Sequence, residues 1–208
     1  MTLPSPNDLL TLEHVDREFS RIDMDELIRT HQGISLDLGC GEHKQPGFVG
    51  LDVRDMPGVD IVHDLNVHPW PLPDESVKRI ACSHVVEHIP PVAISEIGTW
   101  FPFVQFMEEA WRISKPGCEF LISAPYWQSP GFPQDPTHIN QINETTFAYF
   151  DPVNHTNLWA IYKPKPWYYR FVSFDPIGNI EILLMRHSEE EEKWATEREK
   201  WGPMNLGS

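Results

Sequence analysis

Residues 34–41, Ile-Ser-Leu-Asp-Leu-Gly-Cys-Gly, followed by Gly-Phe-Val-Gly-Leu-Asp at 47–52, set a glycine turn between two apolar segments of strand character. Gly39 and Gly41 let the backbone pass close to a ligand with no Cβ in the way, and Asp52, at the end of the second segment, is placed to accept both hydroxyls of a ribose. The pattern is that of a nucleotide pocket at the mouth of a parallel α/β sheet. A dinucleotide fingerprint, G-x-G-x-x-G, needs a third glycine so that a helix can start tightly and aim its N–H groups at a pyrophosphate. Lys44 stands in that place. Asp52 also follows Gly41 by only 11 residues, whereas the ribose acid of a dinucleotide unit lies roughly 20 residues on. The interval is too short for a full crossover helix, so that helix is expected to be vestigial or absent, with a loop covering this side of the pocket.

Asp37, Gly39 and Gly41, with Asp52 after the second strand, resemble the first motif of class I S-adenosylmethionine-dependent methyltransferases of the type 11-like kind. The resemblance runs in order over about 33–126. Residues 60–65 (DIVHDL) read as a third strand ending in an acidic-hydrophobic pair, and 79–89, ending in Ser83, His84, Val85, Val86, Glu87, His88 and Ile89, are similar to the fourth-strand segment. Residues 106–117 (FMEEAWRISKPG) are similar to the helix and turn before strand five, which is expected at 118–124. The resemblance implies S-adenosyl-L-methionine as cofactor, held by Asp37, Gly39, Cys40, Gly41, Asp52, Val53, Asp64, Leu65, Ser83 and His84. It also implies methyl transfer to an oxygen or nitrogen of an acceptor. Lys44 has two readings, a contact to the methionine carboxylate and a solvated loop lysine.

Strands are expected at 34–38, 48–53, 60–64, 79–83 and 120–124, and their continuous apolar character suits a parallel sheet covered on both faces. Residues 168–174 and 180–186, joined by Asp-Pro-Ile-Gly-Asn at 175–179, read as a hairpin. The expected fold is therefore α/β, a Rossmann-like, doubly wound, mostly parallel sheet of about seven strands ending in an antiparallel hairpin. The chain reads as one domain over 1–208. Leu12, Val15, Phe19 and Ile22 mark a helical cap within 1–32, 188–201 reads as a charged helix with Glu189 and Lys193 at pairing distance, and 127–166 reads as a substrate lid with a short capped helix from Asn143.

Of 208 residues, 40 % are hydrophobic and 12 % aromatic, enough for one sizeable core. No apolar run is long enough to span a bilayer and no leader precedes the domain, so a cytoplasmic protein is expected. Cys40, Cys82 and Cys118 lie in or beside predicted strands without C-x-x-C spacing, and read as buried thiols. The formal charge of −15, from 31 acidic and 16 basic residues, disfavours a nucleic-acid substrate, which needs a local excess of Lys and Arg. A small-molecule or saccharide-like acceptor is expected instead, beneath the aromatic residues Tyr126, Trp127, Tyr149 and Trp159.

Methyl transfer is an in-line displacement that needs an aligned nucleophile, and a histidine base suits a hydroxyl or ammonium acceptor. Asp135 with His138 in the lid, and His88 with Glu87 after strand four, are the candidates. His84 reads equally as a cofactor contact. The structural alternatives are a turn at Asp135-Pro136 and a loop-bonding histidine. His63, Asp64, His68, His84, His88, Asp135, His138 and His155 are abundant ligand types, but no H-E-x-x-H or comparable spacing appears and no metal is assigned. Two other functions compete. A catalytically silent cofactor-binding or assembly protein could use the same fold, and a nicotinamide-dependent oxidoreductase is disfavoured by Lys44 and the early Asp52.

Overall fold

The computed structural model describes residues 26, 28, 29, 32–154 and 158–187. The strands, in chain order, are β1 (Ile34–Leu38), β2 (Val49–Asp52), β3 (Ile61–Val62), β4 (Val77–Ser83), β5 (Ala93–Ser95), β6 (Gly98–Trp100), β7 (Ser114–Pro125), β8 (Trp167–Phe174) and β9 (Asn179–Arg186). Seven of them form one sheet in the order β3-β2-β1-β4-β7-β9-β8, parallel from β3 through β7, with β9 antiparallel to both of its neighbours. The order reverses between β1 and β4, which places a crevice at the carboxyl ends of these strands. The expected N-terminal cap lies outside the described residues except for Glu26, Ile28 and Arg29, which are helical. The expected C-terminal helix at 188–201 lies outside them entirely.

No helix forms over 39–48, between β1 and β2, as the short glycine-to-aspartate interval predicts. The connections at 53–60 and 63–76 are also free of helix. The one long helix among the described residues is α1 (Pro102–Ile113), which carries Phe103, Phe106, Met107, Ala110 and Ile113 on its buried face. These positions repeat at helical spacing, and Pro102 sits where a missing N–H costs nothing. Phe106 packs edge-on against Trp70, with ring centroids 5.3 Å apart, and tilts against Phe120, which in turn meets Trp167. This aromatic row ties the 65–72 connection, α1 and β7–β9 into one core. No helix among the described residues is long and apolar enough to cross a membrane.

Three local expectations change. β7 starts at Ser114, directly after α1, and the Lys115-Pro116-Gly117 turn is a bulge inside it: the pairing steps from Val77↔Ser114 to Arg79↔Glu119. Pro116 has no N–H for the ladder and Gly117 is left-handed at φ +80°, so the extra residues loop out without ending the strand. Arg186 secures this bulge by donating to the Ser114 carbonyl and to Glu75 Oε1 (2.8 Å) while stacking on Trp111. Secondly, residues 93–100, where no strand was expected, form a hairpin, β5–β6, with Gly98 following its turn at φ +143°. Thirdly, the capped segment from Asn143 is a 3₁₀ turn at Phe147–Phe150, with Asn143 Oδ1 accepting from the Thr145 and Thr146 N–H groups. The final hairpin follows expectation. Asp175 Oδ1 accepts from Ile177 N and Asn179 N, and Gly178 takes φ +97°.

Candidate functional site

The glycine turn after β1 folds back onto β2, with Gly39 N and Cys40 N donating to the Leu51 carbonyl (2.7 and 3.3 Å). Asp37 is buried and its Oδ2 accepts from Gln45 N at 2.8 Å, so this carboxylate holds the loop from behind. Burial raises its pKa above the ordinary carboxylate value, against the opposing effects of the Gln45 N–H and the Lys44 charge. Lys44 matches neither reading offered for it: its Nζ pairs with Asp60 Oδ2 at 2.6 Å, and Gly50 N shares that oxygen. A Cβ on Gly50 would stand 2.6 Å from Cys40 Sγ and 2.7 Å from Lys44 Cδ, so the β1–β2 loop closes against bare backbone there. All three cysteines are buried and free. The Cys40 thiol is pushed up to about 11 by burial, with Asp37, Asp52 and Asp60 adding to the shift, which leaves it protonated and non-nucleophilic.

Gly39 adopts φ +66°, and an added Cβ would lie 2.3 Å from Val85 Cγ2. At Gly41 (φ +54°) the nearest atom would be 3.8 Å away. Gly39→Ala is therefore expected to destabilise the fold by roughly 2–4 kcal/mol, from left-handed strain plus overpacking, and Gly41→Ala by about 1 kcal/mol from strain alone. Urea unfolding of the two variants checks the difference; equal effects would show that Val85 yields.

A cavity of about 310 Å³ opens at the carboxyl ends of β1, β2 and β4. Gly39, Asp52, Val53, Asp64, Leu65 and His84 line it, together with His88. Asp37, Cys40, Gly41 and Ser83 do not line it. Arg54, Asn66, Val85 and Ile89 do, and no sequence signal singled them out; they are the neighbours of residues that carry the motif. Asp52 Oδ2 accepts from Gly41 N (2.9 Å), and Oδ1 accepts from Arg54 N (2.9 Å) and, more weakly, Arg54 Nε (3.4 Å). The guanidinium is largely exposed, so it can leave Oδ1 to another donor, and Oδ2 retains an open lone pair. Asp64 Oδ1 accepts from Asn66 N and Nδ2, which fixes that carboxylate at the rim.

Beyond β4 the chain makes a tight corner. His84 is left-handed (φ +56°), its N–H donates to the Ser123 carbonyl, and its Nδ1 lies 3.3 Å from Glu87 Oε1. The Glu87 carboxylate holds the His84 pKa above the ordinary histidine value, opposed by burial. A 3₁₀ turn at Val86–His88 follows. Residues 127–142, the first part of the expected lid, cross this corner: Ile139 N and Asn140 N both donate to the Glu87 carbonyl, and Trp127 N donates to Ile142 O. His138 thereby meets His88 with ring centroids 4.8 Å apart. Asp135 caps its own turn by accepting from Thr137 N and Oγ1, and its Oδ2 stands 3.9 Å from His138 Nε2. Asp135 and His138 thus lie beside the cavity and reach it through His88.

No family model matches the chain. It is 32 % identical over 129 residues to a probable S-adenosylmethionine-dependent methyltransferase of Mycolicibacterium smegmatis, an alignment covering 52 % of this chain and 46 % of that protein. The chain thus spans about half the length of this curated relative. Among solved structures, the 16S rRNA methyltransferase KamB superposes with a TM-score of 0.50 at 13 % identity, over 83 % of this chain and 96 % of that one. A methyltransferase from Archaeoglobus fulgidus gives 0.49 at 15 % identity, over 78 % and 92 %. With its β3-β2-β1-β4-β7-β9-β8 sheet, its glycine turn after β1 and its acid after β2, the chain has a Rossmann-like α/β fold similar to that of these S-adenosylmethionine-dependent methyltransferases.

Proposed function

We propose that this protein binds S-adenosylmethionine in the cavity at the ends of β1, β2 and β4 and transfers its methyl group to an oxygen or nitrogen of a small-molecule or saccharide-like acceptor. The observation that carries the reading is Asp52, buried at the end of β2 and facing the cavity with acceptor capacity left on its carboxylate. A ribose diol takes that capacity by displacing the Arg54 guanidinium. Val53, Leu65 and Ile89 supply apolar contact for an adenine ring. Asp64 and His84 flank the remaining polar part, while Asp37 and Gly41 act on the loop and not on the ligand. The bound cofactor supplies an electrophilic methyl on a sulfonium.

On the acceptor side, His88 reaches the cavity and His138 stands behind it, so the acceptor's hydroxyl or amine is positioned at His88 and gives its proton to this pair. The Phe132 carbonyl orients His138 through Nδ1, and Asp135, half-buried beside it, adds a carboxylate 3.9 Å from Nε2. The acidity of the chain favours an acceptor other than nucleic acid. Calorimetry with S-adenosylmethionine and S-adenosylhomocysteine tests the central claim. Heat of binding is expected with both, and no heat from folded protein with either would overturn it. A protein that binds both ligands and never methylates an acceptor would be the silent assembly form of the same fold.

A further inference from the structure

Glu87 is fully buried, and among the described residues neither of its carboxylate oxygens accepts a hydrogen bond. The His84 Nδ1 stands 3.3 Å from Oε1, within ion-pair range, while Oε2 has no hydrogen-bond partner among the described residues. His84 answers only one side of this buried carboxylate, and an unanswered buried carboxylate oxygen is costly, so Oε2 calls for a further cationic partner. Two imidazoles converge on it. One ring nitrogen each of His88 and His138 and one oxygen of Glu87 lie within 4.8 Å of one another.

The hydrogen bonds around the two rings set their tautomers. His138 Nδ1 faces the Phe132 carbonyl at 2.9 Å, to which only an N–H can donate. His88 Nδ1 faces the Thr137 carbonyl (3.3 Å) and the Thr137 hydroxyl (3.0 Å), whose own proton goes to Asp135 Oδ1 (2.7 Å). Both rings therefore carry their proton on Nδ1 and keep the Nε2 lone pair free. Fixing Nδ1–H by a carbonyl is how metal-ligating histidines are held in register. Packing of two rings alone would explain the His88–His138 contact but would leave Glu87 Oε2 without a partner.

We propose that Glu87, His88 and His138 form a binding site for a divalent transition-metal ion, zinc being the ion whose ligand preferences the set matches. Three protein ligands leave a coordination position open, and His88 borders the cavity. Asp135 Oδ2, 3.9 Å from His138 Nε2, is a second carboxylate at the rim. Three ligands at about 2.0–2.2 Å from one ion in tetrahedral geometry stand about 3.3–3.7 Å apart, so binding closes the set by about 1–1.5 Å at its widest. The exposed His88 ring can supply that movement. The site rests on the methyl-transfer reading only for its use: without the ion the His88–His138 pair takes the acceptor's proton, and with the ion bound the imidazoles are ligands while the ion holds an acceptor oxygen and lowers its pKa.

The test is titration of chelator-treated full-length protein with Zn²⁺ alone, with no cofactor present, so that the outcome is independent of S-adenosylmethionine binding. Uptake of one ion is expected. His88→Ala and His138→Ala should each weaken it by about tenfold or more, and His43→Ala, in the exposed β1–β2 loop, should leave it unchanged. Glu87→Gln should weaken it likewise if that variant folds. The exposed His88 keeps the test decisive if it does not. A Co²⁺-loaded sample should show ligand-field absorption that His138→Ala alters. No Zn²⁺ uptake, or uptake equal to the parent's in both histidine variants, would overturn the proposal.

Discussion

Asp52→Ala is expected to weaken S-adenosylmethionine binding by about a hundredfold. The carboxylate is buried at the end of β2, and the proposed ribose contacts are hydrogen bonds to a charged group, each contributing roughly 1.5–3 kcal/mol. Loss of about 3 kcal/mol corresponds to about two orders of magnitude in affinity. Part of the effect is indirect, because Asp52 also receives the N–H groups of Gly41 and Arg54 and so shapes the turn. Arg54→Ala separates the two contributions. It removes only the exposed guanidinium on Oδ1, leaves the backbone bond in place, and should change affinity by no more than about threefold. Calorimetry on both variants, with circular dichroism to confirm folding, gives the comparison. An Asp52→Ala protein that binds like the parent would remove the ribose contact from the site.

Glu109→Ala is expected to cost about 3–4 kcal/mol of stability. Glu109 Oε1 accepts from Trp70 N at 2.6 Å and from Arg112 Nη2 at 2.5 Å, and Oε2 accepts from Arg112 Nε at 2.9 Å. Arg112 extends the network to the Trp70 and Leu72 carbonyls and to Asp74. Removing the carboxylate strands a buried Trp70 N–H and half-buried positive charge, and breaking such a pair costs roughly 3–5 kcal/mol. The lower part of that range applies, because Arg112 keeps Asp74 and some water. Asp74→Ala, at the exposed end, should cost less than about 1 kcal/mol. Burial pushes the Glu109 pKa up, but the Arg112 and Trp70 hydrogen bonds outweigh it and leave it below the ordinary glutamate value. A depressed folded-state pKa gives stability that is present above the unfolded value of 4.5 and lost as pH falls through the folded value. Thermal unfolding followed from pH 7 downward should therefore show Glu109→Ala approaching the parent in acid. A constant gap across that range would contradict the linkage.

The strand-turn-strand at 34–52 was legible because everything it needs is local. Apolar runs, two glycines and an acid at a short interval set the two strands, the turn and the missing crossover helix. The final hairpin was legible for the same reason, since Asp175 and Gly178 build the turn from within it. The Lys115-Pro116-Gly117 segment was misread as a turn because Pro and Gly signal a break in the ladder without saying whether the strand resumes; pairing with β4 decides that. Lys44 illustrates the same limit at the site. Its partner, Asp60, lies 16 residues on and becomes a neighbour only when β3 docks on β2.

By itself the sequence determined where the seven strands of the main sheet lie along the chain, the parallel sheet with its antiparallel end, the burial of three cysteines and the absence of a dinucleotide loop. Each of these follows from backbone preference and apolar patterning within a few residues. Only the tertiary structure decided which polar groups meet. It set Asp37 behind the loop and Asp52 in the cavity, joined Glu109 to a backbone N–H 39 residues away, and brought His138 across to Glu87 and His88. The physical reason is that a side chain's charge and hydrogen-bonding capacity are written locally, whereas its partner is chosen by chain closure over tens of residues, which no local pattern encodes.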